Sequence, residues 1–440
     1  MTVFDIAIIG SGEAALCAAG AAARSGAATA LVQSKSVRRP STASICNIPN
    51  FVWRRLDLHE YGFSLTPVSA RITLLEDGAV VTTHNGEGET ENALEIAKSK
   101  DSLVWSDFLT EIRALDEALD INGADVGRQL RRSLLSCLDG DEDQLSALEQ
   151  HTMNVVSLLD DFLEDDALKA HLVAHALAPS GLGGGEAGTV AGLSEFMSEE
   201  AWRVRVENGA KAVFQALEDV CKNSGVTIFD SAFKGVTNGS GKSQLIQLAD
   251  GETIKTKAIL FASPDAALAA GFRAPLSPMA GHGGAQAQLR IQLKSPMEPP
   301  EGNRHAIFQI LDKASDLQAA SNAAVSGRLP ESLPIEFEFA DNGDLLARTS
   351  YCPRAFKEED GWREWTGQDR QAVTRLMTNQ LSSRLGGLSD NIKKTSVKIM
   401  GPLSLDTPVN TDRAENIYIQ PSAHNAVASA VRLVDKVLGI

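Results

Sequence analysis

The chain has 440 residues, 43% of them hydrophobic and 22% charged, with a net charge of −16. That length supports a sizeable core and two or three domains. The acidic balance argues against sequence-independent nucleic-acid binding, which depends on Lys and Arg displacing phosphate counterions, and against docking on an anionic membrane surface. Arg128, Arg131 and Arg132 read as a solvated helix face.

Cys17, Cys46, Cys137, Cys221 and Cys352 are scattered, odd in number and without a CxxC pair. They give neither a disulfide framework nor a zinc site, and predict a reducing, cytoplasmic setting. Residues 1–5 carry no basic region, so a signal peptide is not expected. No apolar window reaches the roughly 18 residues of a transmembrane segment. The expected partners are a small-molecule substrate or a partner protein subunit, with an oligomer allowed.

The β-branched run Val3–Ile9 reads as a strand buried on both faces. Gly10-Ser11-Gly12-Glu13-Ala14-Ala15 follows, then an Ala-rich helix over 14–25 and a strand over 28–33. This strand–GxGxxA–helix–strand order is the context a dinucleotide fingerprint requires. Gly10 permits the tight turn, Gly12 lets the backbone approach a pyrophosphate, and Ala15 keeps the helix close to the sheet. The helix start offers free N–H groups and a positive dipole end. Glu13 is harmless to such a ligand if it points outward, and repels it if it points inward.

The second strand ends on Gln33, where a carboxylate normally bonds the adenosine ribose. Residues 59–81 read as strand and turn, and 106–119 and 153–172 as amphipathic helices. His171 and His175 form an i, i+4 pair, but no acidic residue lies between them as in HExxH and no third ligand is apparent. A core or surface pair is the better reading.

Residues 209–223 then read as a helix, 225–229 as a strand, and 235–248 as a hairpin turning at 238–241. A turn over 250–254 leads into a buried strand over 257–262. Gly241-Lys242-Ser243 is not a P-loop, because Val236 stands where the first glycine is needed and the segment lies in a hairpin.

Asn208-Gly209-Ala210, Gly225-Val226-Thr227-Ile228, Asp250-Gly251-Glu252-Thr253-Ile254 and Ser263-Pro264, in this order, resemble the phytoene dehydrogenase-like proteins and the wider amine oxidase and carotenoid desaturase superfamily. The resemblance covers most of the chain in order and is strongest over 209–264. It implies an α/β fold: a Rossmann-like FAD-binding domain (1–70, 205–265 and 400–440) with an antiparallel-sheet substrate domain and a helical cap (71–204 and 266–399). It implies that FAD is the cofactor, with backbone groups near Lys234, Gly235 and Val236 meeting the adenine.

Three positions depart from that pattern. Gln33 replaces the ribose-binding acid. Residues 37–44 lack the paired glycines that follow it, leaving Arg38 or Arg39 to reach a phosphate. Residues 421–426 lack the glycine-rich turn before the last helix, so that His424 either replaces a backbone contact to the flavin or blocks it.

On the substrate side, 285–293 alternates strictly, 334–339 does so similarly, and 306–310 is a shorter candidate; together they predict an antiparallel sheet with one buried face. Its apolar side suits a hydrophobic substrate or is simply core. No catalytic side chain and no metal site can be assigned, which fits flavin chemistry, where the cofactor does the work. Two readings stay open. One is an FAD-dependent oxidoreductase acting on an apolar or amine-bearing small molecule; the other is a flavin-free homologue serving as a structural or regulatory subunit.

Overall fold

The computed structural model describes residues 3–33, 45–46, 48–84, 87–119, 153–178, 180–197, 204–206, 209–238, 243–262, 284–340, 342–400, 417–419 and 426–439. Arg38, Arg39, His424 and residues 239–241 of the turn expected at 238–241 lie outside them. Five helices matter below: α1 (Glu13–Arg24), α2 (Asp166–Leu177), α3 (Gly209–Asn223), α4 (Gly367–Arg384) and α5 (Ala426–Leu438).

One seven-stranded sheet contains β1 (Val3–Ile9), β2 (Thr29–Val32), β8 (Thr227–Phe229), β9 (Phe233–Asn238), β10 (Gln244–Leu248), β11 (Thr253–Phe261) and β19 (Ile417–Ile419). β8, β2, β1, β11 and β19 run parallel in that order. β10 and β9 continue from the start of β11 as antiparallel strands.

The period-2 geometry of a strand explains the layers on either side. Ile6 and Ile8 of β1 pack with Val213 and Leu217 of α3 and Val431 of α5, and α1 lies in the same cluster. Ala7 and Ile9 point the other way, into a cluster with Val236 and Ile246 of the antiparallel strands and Ile254 at the start of β11. A strand covered on both faces has no polar phase, which is why residues 6–9 of β1 read as continuous apolar sequence, while Asp5 nearer its start accepts from the Ala28 N–H and from Lys257. α1 approaches α3 closely at Gly20, where a Cβ would sit 3.1 Å from Val220 and 3.2 Å from Leu56. Cys17 and Cys221 are buried in this packing, as small hydrophobes would be. Burial, more than the nearby Glu218, pushes the Cys221 thiol up to about 12.

The second seven-stranded sheet has the order β18-β12-β15-β14-β13-β5-β6. Its strands are β5 (Ala70–Leu74), β6 (Val80–His84), β12 (Ala285–Leu293), β13 (Ile307–Ile310), β14 (Ile335–Phe339), β15 (Leu345–Cys352) and β18 (Ile392–Met400). The sequence predicts an antiparallel sheet, but the structure makes it mixed: β5 runs parallel to β13. A parallel pair needs a long connection rather than a hairpin, and the chain between these two strands includes β8 to β11 of the first sheet.

A three-stranded sheet of β3 (Ile45–Cys46), β7 (Val204–Val206) and β4 (Leu65–Pro67) and a hairpin of β16 (Phe356–Glu358) and β17 (Gly361–Arg363) complete the strands among the described residues. The single helix expected over 153–172 is broken into Val155–Phe162 and α2. Asp165 causes the break by capping α2, its carboxylate accepting from the N–H groups of Ala167 and Leu168 at 2.9 and 3.3 Å. Among the described residues, no helix is long and apolar enough to cross a membrane.

Candidate functional site

The chain runs from β1 to β2 on one side, then returns through β8 to β11 on the other side of β1. The carboxyl end of β1 is therefore the topological switch point, where open α/β sheets form a crevice. The Gly10–Gly12 turn stands there. Gly10 donates its N–H to Val32 at 3.1 Å, and Ala262 donates to Ile9 at 2.9 Å, closing three strand ends around the turn.

Gly10 has φ +152, and a Cβ on it would lie 3.1 Å from the Ala262 Cβ and 3.5 Å from that of Ala15. Both the conformation and the crowding therefore demand glycine here. Ala15 is buried at this contact, so its small side chain lets α1 lie close to the sheet. Gly12 differs: at φ +105 and ψ −175 it holds a glycine-only conformation, yet a Cβ would meet nothing within 4 Å. Its bare backbone faces open space. No side chain caps α1, and the first helical bond runs from Leu16 N–H to the Gly12 carbonyl at 3.1 Å. Helix starts of this kind present free N–H donors and a positive dipole end.

Gln33 lies at the same edge, its N–H bonded to the Phe229 carbonyl at 3.0 Å and its side chain buried. From Phe229 the chain turns into β9, whose Phe233 ring packs on Phe261 at 5.5 Å. The start of β9 is thus brought to the carboxyl ends of β2 and β11. Phe233 pairs with Leu248 and Gly235 with Gln247, so the ladder shifts around Lys234. Lys234 is the extra residue of a bulge, and a bulged residue's backbone groups drop out of the ladder. Val236 is placed otherwise: its backbone pairs with Ile246 and its side chain belongs to the core. Gly10, Gly12, Ala15, Gln33 and Lys234 share one edge, then, while Val236 is packing material.

The second sheet has one polar side, covered at its β13–β5 end by α2, where Gln309 donates to the Ala174 carbonyl at 3.5 Å and Thr73 bonds His171. Successive strand registers set Lys398 beside Gln288, Gln288 beside Arg348, Arg348 beside Glu336, Glu336 beside Gln309, and Gln309 beside Thr73. Side chains directly opposite one another lie on one face, so these residues form a polar row across six strands. The alternate row of Leu289, Ala347, Phe337, Phe308 and Ile72 is core, in one cluster with Val373, Met377 and Leu381 of α4. The apolar side that would have suited a hydrophobic substrate is therefore covered.

Arg348 is bonded to Glu336 by both Nε and Nη2. Burial opposes its charge, but Glu336 and then Glu338 outweigh burial and keep it protonated. Its charge also reaches Glu13, the first residue of α1. Burial raises the Glu13 carboxyl above the ordinary glutamate range, and Arg348 pulls it back in part. The hint in the sequence was an Arg and a Glu in the polar phase of two alternating strands; nothing local tied either to Glu13.

His171 and His175 make no metal site: among the described residues no group of three or more His, Cys, Asp or Glu side chains could hold an ion. The His171 ring instead bridges the Thr73 and Thr83 hydroxyls, each at 2.8 Å. Burial lowers its pKa to about 3, with Arg71 adding to the effect.

No protein-family profile matches the sequence, and no curated protein sequence does. The fold is nonetheless that of several solved structures along their whole length. A putrescine oxidase variant redesigned for cofactor binding is 12% identical, with a TM-score of 0.55 and 99% of each chain covered. Cyclohexylamine oxidase from Brevibacterium oxydans is 14% identical, with a TM-score of 0.53, covering 100% of this chain and 98% of that one. A Rab GDI from Plasmodium falciparum is 11% identical, with a TM-score of 0.53, covering 99% and 98%. At such identities the likeness establishes the mixed α/β fold.

Proposed function

We propose that the chain is an FAD-dependent oxidoreductase of the amine oxidase and phytoene dehydrogenase-like kind. The observation that carries this reading is the uncapped glycine turn at the switch point, with open space over Gly12. The likeness in fold to putrescine oxidase and cyclohexylamine oxidase supports it.

The residues present fit a dinucleotide at three places. Gly10, Gly12, Ala15 and the start of α1 would hold the pyrophosphate, by backbone N–H donors and dipole. Gln33 would bond the ribose as a neutral partner, without the strength a charge adds. The bulged backbone at Lys234 would meet the adenine. When bound, FAD supplies the hydride acceptor, and the protein's part is to position the substrate and exclude water. With Glu336, Glu338 and Arg348 on the polar side, an amine-bearing small molecule suits the second sheet better than a purely apolar one.

The test is an absorbance spectrum of the purified protein over the flavin bands, followed by identification of whatever is released on denaturation. Stoichiometric FAD supports the reading. Protein that stays colourless after incubation with excess FAD sinks it.

Glu13 favours a second reading, in which the cradle is empty of flavin by design and the chain serves as a subunit of a complex. A carboxylate directly after the glycine turn, together with a neutral Gln33, is what such a scaffold tolerates and an ordinary flavoprotein avoids. A colourless protein that co-purifies with a coloured partner would decide for it.

A further inference from the structure

We propose that the outer edge of β18 docks an extended acidic segment of a partner protein, which adds to the second sheet as a further strand. The inference stands apart from the flavin reading, because it uses none of the residues of the glycine corner.

β18 begins the strand order of the second sheet, and among the described residues it pairs with β12 alone. At nine residues it is the longest edge strand described; β6, β8, β9 and β19 have five, three, six and three. An edge strand carries a row of backbone N–H and C=O groups that no neighbouring strand takes up, and an extended peptide binds such a row through main-chain hydrogen bonds. At the opposite edge of the same sheet, β6 has the helix Glu87–Ile96 packed beside it.

The side chains select the partner. Successive residues of a strand point to opposite faces, so Lys394, Ser396 and Lys398 share the polar face, and all three are exposed. Across from them on β12 stand Gln292, Arg290 and Gln288, and Arg290 is bonded to Asp344. Neither Lys394 nor Lys398 has an ion-pair partner among the described residues. Two cations are thus left unanswered along one edge of a chain whose net charge is −16. On the other face, Val397 and Ile399 pack with the core. The strand that fits has carboxylates opposite the two lysines and β-branched apolar residues at the positions between.

Lysine on an edge strand also discourages self-pairing. A second copy of this chain paired antiparallel over the whole of β18 centres on Ser396 and sets Lys394 of each copy opposite Lys398 of the other, an unfavourable meeting of like charges. The same two lysines turn away a second copy and favour an acidic strand.

The experiment is fluorescence anisotropy of a dye-labelled peptide, Val-Glu-Val-Thr-Val-Glu-Val, titrated with the full chain. Its two glutamates have the spacing of Lys394 and Lys398 in either strand direction. Saturable binding that weakens with salt is expected, with about tenfold or more lost in the double variant Lys394→Glu, Lys398→Glu. The counterpart Val-Lys-Val-Thr-Val-Lys-Val is expected to fail on the wild type and to bind that variant. N-methylation of either the odd or the even residues of the acidic peptide separates strand addition from attraction to a basic surface: one set abolishes binding and the other leaves it, because alternate residues bond to the neighbouring strand. Both lysines are exposed, so the variant is expected to unfold at the wild-type temperature; should it fold poorly, Lys394→Gln with Lys398→Gln carries the same expected loss. Folded wild type without saturable binding overturns the inference. So does equal binding by the charge-swapped variant, or an equal effect of the two methylated sets.

Discussion

Arg205 of β7 donates from Nη1 to the Phe339 carbonyl at 2.8 Å, and from Nη2 to the Arg304 carbonyl at 2.9 Å. One buried side chain thereby ties the small three-stranded sheet to the end of β14 in the second sheet. Arg205→Met keeps the apolar stem but leaves both carbonyls short of a donor, at about 1–3 kcal/mol for a buried unsatisfied group. The expected result is a lower denaturant midpoint with an unchanged slope. A midpoint within error of wild type would show that the tie contributes nothing.

The two fingerprint glycines should separate cleanly under substitution. Gly10→Ala meets both an unfavourable φ and the Ala262 Cβ at 3.1 Å, whereas Gly12→Ala meets only the torsion. A strained conformation of this kind costs on the order of 1–3 kcal/mol. Gly10→Ala should therefore be the less stable protein on thermal unfolding. Gly12→Asp should stay folded and lose FAD, because it sets a charged side chain where the backbone must be bare. Retention of FAD by Gly12→Asp would remove the cradle from Gly12.

His171 predicts an acid-sensitive core. It is held neutral in the folded protein, with a pKa of about 3 against 6.5 unfolded. The unfolded chain binds the extra proton between these values, so the stability it contributes above 6.5 is lost as pH falls through that window. His171→Gln should flatten the dependence of the unfolding midpoint on pH over that range. His171→Ala should cost roughly 3 kcal/mol at neutral pH, from a cavity and two hydroxyls left without their partner. A pH profile of His171→Gln superimposable on that of wild type would place the acid sensitivity elsewhere.

What was legible in the sequence was what local chemistry dictates. Helix α3 and strand β12 occupy the expected residues, 209–223 and 285–293, because one has a clear helical period and the other a strict alternation. The turn at Gly10 and Gly12 was legible because few backbones other than a strand-to-helix turn use that spacing. Lys234 and Val236 looked equivalent in sequence; only the shifted pairing at Leu248 distinguishes a bulged backbone from a core side chain. The influence of Arg348 on Glu13 was hidden for a different reason. It depends on how two sheets meet, and residues so far apart in the chain leave no periodicity to read. The parallel pairing of β5 with β13 escaped on the same ground.

The polar row across the second sheet also guards against misassembly. Slipping β15 by one residue would turn Arg348 toward Phe337 and Phe308, and leave Glu336 facing an alanine or a threonine. A wrong register would thus strand a cation among aromatic rings and an anion without its counterion, where a purely apolar strand would pay only in packing. The same charges that shape the site make the neighbouring strand pairings mutually exclusive, and so narrow the ways this half of the chain can fold.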